Sequence, residues 1–597
     1  MEKSHMNRAI ELALSEIENA QLVRRTDEHD ALIFKHALIQ DMAYLSMMRH
    51  DRKRLHLLVG EALERAYPER LQELAPRLAE HFSRAGETER ALAYFERAAH
   101  DAAAHYANAE ALTFYGSALQ AAETLQTDTR DSLLRARGVV YERIGEFDRA
   151  CADFDQALRL AQQQGDRLAE WQTLMDLGFA WAARDYARTG EYYEQALDLA
   201  RVDQDTARVA HTLNRVGNWY LNRDEPLRAL AYHYEALKMF EGLDDMRGVA
   251  ETHDLLGMTN FIGADYVRGK QHADTALALF ETLGDRWAIV NTTIVNYLRR
   301  ALIQGDTLPT VERAPLNQDE CLAILAEIRQ FGSRANDAFA SVILGEAAAS
   351  IGEYGRALEM EERGHAVAHE INHRQWMAGT MIVQGAICTR ILNFELAVEL
   401  LEKALPLARE LRSMHWIHEG IGFLASARIA QNELDRAAEL LDENALPHLT
   451  TQTQGQRQVW ASRIELALAR QQPHAALALL DTLLQDTANL KPETVIPRLW
   501  ILRARALMQI GTNDALATAE NLLHAARAEA QDTTQPGWEW QSDAYLAQLY
   551  RLHAHDDQAT QAAHRAQALV EKLAETIRET NVRDTFTARA HALIWNQ

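Results

Sequence analysis

An all-α solenoid of paired antiparallel helices is the fold class this sequence predicts, and three observations predict it. Residue usage is helical: Ala, Leu, Glu, Arg and Gln dominate 597 residues, while 28 Gly and 11 Pro sit at intervals. Unbranched side chains lose little rotamer freedom in a helix, which is why this usage favours one. A pattern of small and large residues recurs in phase along most of the chain. Gly or Pro falls between paired segments at Gly86, Gly145, Pro226, Gly352, Pro473 and Gly511, where a short turn is needed.

Each copy of the pattern places a small residue in a first helix and a bulky residue three positions later. An Ala follows twelve residues after the first small residue, and a second small residue seven after that. In RGVVYERIGEFDRACADFDQAL these are Gly138, Tyr141, Ala150 and Ala157; in VGNWYLNRDEPLRALAYHYEAL they are Gly217, Tyr220, Ala229 and Ala236. Two antiparallel helices approach closely only where small residues meet, and the large residues fill the space beside them.

This pattern resembles the tetratricopeptide repeat over roughly residues 70 to 575. The second-helix anchors Ala150, Thr189, Ala229 and Gly269, then Ala357, Ala397, Ala437 and Ala476, lie 39 to 40 residues apart, longer than the usual form. The resemblance implies a right-handed superhelix of about twelve repeats. The step from Gly269 to Ala357 is 88 residues, and the excess falls in IQGDTLPTVERAPLNQDE, read as a loop inserted at 303–320. The expected division is therefore an N-terminal cap at 1–70, a first repeat block at 71–302, the loop, and a second block at 321–597.

The first seventy residues differ from the rest. Leu22–Arg25 and Ala31–Lys35 flank the turn-rich TDEHD, which predicts a β-hairpin, with a helix following from His36. The run Phe34-Lys35-His36-Ala37-Leu38, with Gln40, Asp41, Ala43, Tyr44, Arg54, Leu55 and His56, resembles a segment of bacterial signal-transduction ATPases, some cyclase-linked and some LuxR-type. There it sits where a winged-helix module passes into a tetratricopeptide sensor. Ala79, Phe82, Gly86, Ala91, Phe95 and Ala98 fit the first repeats of that family. The resemblance implies a hairpin that is a winged-helix remnant, and a chain that is the C-terminal sensor arm of a larger machine. No GxxxxGK[ST] loop that could wrap a phosphate is present.

In such a superhelix, first helices line the concave face. Counted from the first small residue, inward positions lie three and six before it and one, four and five after it. Around Gly217 and Gly257 this nominates Asn214, Asn218 and Asn222 with Arg215 beside them, then Asp254 and Phe261. Amides that bond a peptide backbone, with an aromatic to receive a side chain, suit a peptide or protein partner in the groove. A carboxylate clamp is disfavoured, because Asn214 stands where that type needs Lys.

The remaining features are bland. A net charge of -24 argues against direct nucleic-acid or anionic-membrane binding, since either surface repels it. Cys151, Cys321 and Cys388 lie far apart, as thiols in a reducing compartment do. His365, His369 and His373, spaced i, i+4, i+8, would stack on one helix face and could hold zinc or nickel, but a packed or solvated face is the better reading. No GxSxG, HExxH or GxGxxG is present, so no catalytic residue, cofactor or metal is expected. The expectation is a cytoplasmic, non-catalytic binding module: a sensor arm that engages a partner in its groove and an ATPase core in cis or in trans. The alternative is a free-standing scaffold for complex assembly.

Overall fold

The computed structural model describes residues 2–25, 32–298, 306–309, 318–442, 446, 449–487, 491 and 494–595. Two compact units divide the chain, Met1–Arg137 and Gly138–Gln597. The expected solenoid of helix pairs is what forms.

The first unit opens with α1 (Glu2–Asn19) and an antiparallel hairpin of β1 (Val23–Arg25) and β2 (Leu32–Phe34), in which Arg24 pairs with Ile33. The hairpin is the predicted one; the predicted TDEHD turn lies outside the described residues. Helix α2 (Ala37–Ser46) starts after an extended His36, as expected, and is followed by α3 (Arg49–Ala66), α4 (Leu71–Ala85), α5 (Thr88–Ala104) and α6 (Asn108–Leu125). Ala79, Phe82, Ala91 and Ala98 are all buried, and Gly86 ends α4 at φ 91, a left-handed turn that glycine adopts without a Cβ clash.

Helix α7 (Arg130–Arg143) leads into the second unit, whose pairs then follow in strict order. They are α8 (Phe147–Gln164), α9 (Arg167–Ala182), α10 (Tyr186–Val202), α11 (Thr206–Asn222), α12 (Pro226–Gly242), α13 (Met246–Ile262), α14 (Tyr266–Leu283) and α15 (Arg286–Tyr297). Beyond the insertion come α16 (Gln318–Gln330), α17 (Arg334–Ser350), α18 (Tyr354–Glu370), α19 (Arg374–Arg390), α20 (Phe394–Leu411), α21 (Met414–Ala430), α22 (Leu434–Leu440), α23 (Gln454–Ala469) and α24 (Pro473–Gln485). The last helices are α25 (Pro497–Ile510), α26 (Asn513–Asp532), α27 (Pro536–Leu552), α28 (Asp556–Thr576) and α29 (Thr580–Trp595).

All eight second-helix anchors, Ala150 to Ala476, are buried. The small residue of each first helix meets the second helix of its own pair. A Cβ on Gly138 would lie 2.5 Å from the Phe154 ring, and one on Gly385 would lie 2.6 Å from Leu401. Asp residues begin the helices from α9 to α15, except α12: Asp166, Asp185, Asp205, Asp245, Asp265 and Asp285 each accept a backbone N–H of the first turn.

The solenoid of the second unit winds tightly enough for successive turns to touch. His418 bonds Asp224 at 2.6 Å across 194 residues, Arg589 bonds Glu395 across the same separation, and Thr576 reaches the Gly352 carbonyl across 224. With repeats of 39 to 40 residues, one turn takes about five of them. The first helices are consequently enclosed: every residue of α21 from His415 to Arg428 is buried. The tip of the inserted loop fills the interior as well, since Asp306, Thr307 and Leu308 are all buried. Asp306 pairs with Arg390 and, at 3.0 Å, with Arg498, and the buried Arg457 donates to the Thr307 carbonyl at 2.9 Å. Apart from Pro309 and the start of α16, the rest of the predicted 303–320 loop lies outside the described residues.

Candidate functional site

The six residues nominated from sequence separate into four groups. Asn214 is buried and donates to Thr252 Oγ1 at 2.7 Å, while its Oδ1 faces His233 Nδ1 at 3.2 Å. It joins two repeats and has no groove face, which corrects the sequence reading. The same ladder recurs one repeat earlier, where Trp171 Nε1 donates to Thr212 Oγ1 at 2.9 Å, and one later, where Thr292 bonds the Asp254 carboxyl. Burial still pushes Asp254 up to about 6. Asn214 and Asp254, three before Gly217 and Gly257, therefore bind repeat to repeat, as Trp171 does in the repeat before them. Phe261 is a second correction: it is fully buried, its ring against Gly269 and 5.9 Å from Tyr266, so it fills the core. Arg215 is exposed, its guanidinium 5.7 Å from the Phe179 ring.

Asn218 and Asn222 reach a chamber of about 250 Å³. Positions one, four and five after the small residue supply one wall, namely Phe179, Ala182 and Ala183, Asn218, Leu221 and Asn222, and Met258 and Ile262. The opposite wall comes from the next turn, from α17 and the N-terminal halves of α19, α21 and α23, with Phe339, Glu346, Trp376, Trp416, Glu419 and Gln454. No sequence spacing could show this second wall, because it depends on how far the solenoid advances in one turn.

A network of side chains holds the chamber's shape. Tyr186 donates to Asn222 Oδ1 at 3.0 Å, Trp219 Nε1 donates to the Tyr186 carbonyl at 2.7 Å, and Gln454 donates to Glu419 Oε1 at 2.9 Å. Trp376 and Trp416 meet edge to face at 6.4 Å, and Phe339 lies 5.1 Å from Trp376. Burial sets the protonation of the polar groups. His373 falls to about 3 and His415 to about 4, so both are neutral near pH 7. Glu142 rises to about 7, and Glu419, buried beside Glu346, rises well above the usual carboxylate range. Asn218 Oδ1, His415 Nδ1, Trp416 Nε1, Glu419 Oε2 and Gln454 Oε1 are buried without a hydrogen-bond partner.

A second cavity of about 810 Å³ has a different lining: Arg390, Arg498, Arg505 and Arg589 face Asp306, Glu395 and Glu465, with Arg390 stacked 3.6 Å from the Trp538 ring centroid. The histidine triplet does not stack on one helix. Helix α18 ends at Glu370, and His373 instead caps α19, accepting the Trp376 N–H at 3.4 Å. The three cysteines are all buried. Among the described residues, no helix is long and apolar enough to cross a membrane.

No family model matches the chain, and no curated protein matches it. Solved structures similar to it include the yeast Tom70, at 15% identity over 78% of this chain and 96% of that one, with a TM-score of 0.29. Another is the APC/C hetero-tetramer Cut9–Hcn1, at 14% identity over 83% and 96%, with a TM-score of 0.30.

Proposed function

We propose that the chain is a non-catalytic, cytoplasmic ligand-binding repeat module, the sensor arm of a bacterial signalling ATPase or transcriptional regulator. The single observation that carries this reading is the aromatic chamber between two successive turns of the solenoid, lined by buried polar atoms without partners. Its volume suits a small molecule or one side chain, not an extended peptide. An occupant touches both turns at once, so it favours whichever superhelical pitch gives it the best contacts on both walls.

Contact with a second protein has support of its own in the N-terminal unit. Leu38, Met42 and Leu45 lie on one face of α2 at i, i+4, i+7 and are 78%, 68% and 65% exposed. That stripe suits an ATPase core, and it equally suits the partner of a free-standing scaffold. Trp219, Trp376 and Trp416 line the chamber, so occupancy is expected to change tryptophan emission when metabolite fractions are titrated in. Ala335→Trp, which fills the chamber, should abolish that change; an undiminished response would place the ligand elsewhere. For the partner, a pull-down from the native host with Leu38→Glu/Leu45→Glu as control is expected to lose an ATP-hydrolysing protein. A lost partner without ATPase activity would favour the scaffold.

A further inference from the structure

The larger cavity, of about 810 Å³, lies in the same unit as the aromatic chamber and shares no described lining residue with it. It runs past the first helices α19, α21, α23, α25, α27 and α29. Helix α25 gives it Arg498, Ile501, Leu502 and Arg505, and α27 gives it Trp538, Gln541 and Tyr545. Within each set the spacing of three, four and seven residues keeps the side chains on one helix face. The two sets meet at two levels. Arg498 lies 6.0 Å from the Trp538 ring centroid, and Arg505 lies 5.3 Å from that of Tyr545. Seven residues separate the levels on both helices, a rise of about 10 Å.

The first level holds a carboxylate. Arg390, 3.6 Å from the Trp538 ring centroid, and Arg498 both pair with Asp306 from the inserted loop, Arg498 at 3.0 Å. The second level repeats the cation and the aromatic ring without the acid. Arg505, half-buried, makes no hydrogen bond or ion pair with a described residue, and Gln541 makes no such hydrogen bond either. The cavity's other two described carboxylates are committed elsewhere. Arg589 holds both oxygens of Glu395, at 2.7 and 2.8 Å, and Glu465 is held by Arg498 at 2.8 Å and Ser426 at 2.6 Å. Among the influences on Glu465, Arg505 ranks behind burial, Arg498 and Ser426, so its own donors stay open. A guanidinium is a rigid fork of N–H donors, and a planar carboxylate matches two of them at once.

We propose that the second level is a binding site for an organic acid. Its carboxylate takes the fork of Arg505 beside the Gln541 amide, and its aliphatic body lies against Ile501 and Leu502, one turn before Arg505 on α25. Asp306 shows, in the same cavity, how such a group is held. Every anion bound by the cavity's other arginines is a carboxylate, and Ile429, Leu392 and Leu593 add to an aliphatic lining, which favours a monoanionic acid over a phosphate. The volume admits a small molecule. A free acid and the C-terminus of a peptide present the same planar anion.

Octanoate, octanamide and octylammonium share a body and differ in charge, and isothermal titration calorimetry on the full chain compares them. Acetyl-Ala-Ala-Leu with a free or an amidated C-terminus provides the peptide arm. At least one acid is expected to bind about ten-fold or more tightly than its amide, and octylammonium not measurably. Tighter binding by octanoate points to a free acid, and by the peptide to a C-terminus. Arg505→Gln, checked for retained helicity, should remove the preference for charge. Arg503→Gln, on the same helix but outside the described lining and paired with Asp481, should keep it. Should Arg505→Gln not fold, Arg505→Lys carries the same test: it retains the charge without the fork, and the preference should fall about three-fold or more. Ala335→Trp, which fills the separate aromatic chamber, should leave the acid's affinity unchanged. Equal affinity for acids and amides, absence of binding by both acids, a preference untouched by the Arg505 variants, or loss of acid binding in Ala335→Trp overturns the proposal.

Discussion

Glu361 shows most directly how a single side chain can carry a cost that the rest of the fold absorbs. It is fully buried in α18, both carboxylate oxygens lack partners, and burial next to Glu346 pushes its pKa well above the usual value near 4.5. In the folded chain it keeps a proton that the unfolded chain releases once pH passes about 4.5, so unfolding at neutral pH expels a proton and stability falls as pH rises. Glu361→Gln keeps the shape and removes the titration. The variant is expected to gain about 1–3 kcal/mol at pH 8, the scale of a buried polar group without a partner, and far less at pH 4.5. Chemical unfolding of both proteins at the two pH values measures it, and a gain independent of pH would show that the carboxyl is not held protonated. Glycine identity matters at the same scale. A Cβ on Gly217 would sit 2.6 Å from the buried His233 ring, whereas one on Gly116, inside α6, meets nothing within 4 Å. Gly217→Ala should therefore lower stability by about 1–3 kcal/mol by overpacking. Gly116→Ala should raise it by up to about 1 kcal/mol through helix propensity alone. Opposite shifts in melting temperature are the expected result, and shifts of the same sign would mean that His233 yields at little cost.

At the scale of the element, the helix pairs were legible because their determinants are local. Gly138, Gly217 and Gly385 mark contacts with a partner helix only about sixteen residues later in sequence, at Phe154, His233 and Leu401, so spacing alone carries the information. The polar stripe was misread for a related reason. Asn214 and Asp254 occupy the inward-tilted side of their helices, but the neighbouring helix offers Thr252 and Thr292 there, and a hydrogen bond between repeats takes the place of a ligand contact. A signal for this was present: Thr173, Thr212, Thr252 and Thr292 recur every 39 to 40 residues at buried positions. Phe261 faces the core because Gly269, on the second helix of the same pair, leaves a hollow into which its ring turns. Thr252→Val, which keeps the volume and removes the acceptor, is expected to cost about 1–3 kcal/mol by stranding the Asn214 amide. It should raise hydrogen exchange in α11 and α13 together, and faster exchange in α13 alone would contradict a role in joining the two.

For the second unit as a whole, the decisive quantity is the advance of the solenoid per turn, which no local pattern encodes. It brings α11 to α21 through Asp224 and His418 and builds the far wall of the chamber from residues some 150 to 200 positions away in sequence, as the Gln375 to Asn222 bond across 153 residues illustrates. It also explains why an interruption in the repeat is tolerated at 303–320: the tip Asp306–Leu308 replaces solvent in the solenoid's interior and ties α19 to α25 through Arg390 and Arg498, both 6% exposed at the side chain. Removing one partner of such a buried cluster leaves uncompensated charge, a loss of about 3–5 kcal/mol. Asp306→Ala strands two guanidiniums, and Glu465, which holds Arg498 at 2.8 Å, can relieve only that one. Hydrogen exchange is expected to accelerate in α19 and α25, which are far apart in sequence, while α11 and α13 keep their protection. Uniform acceleration through the whole unit would instead mean that the loop tip supports global stability. No change anywhere would mean that the arginines find other partners and that the tip does not hold the turns together.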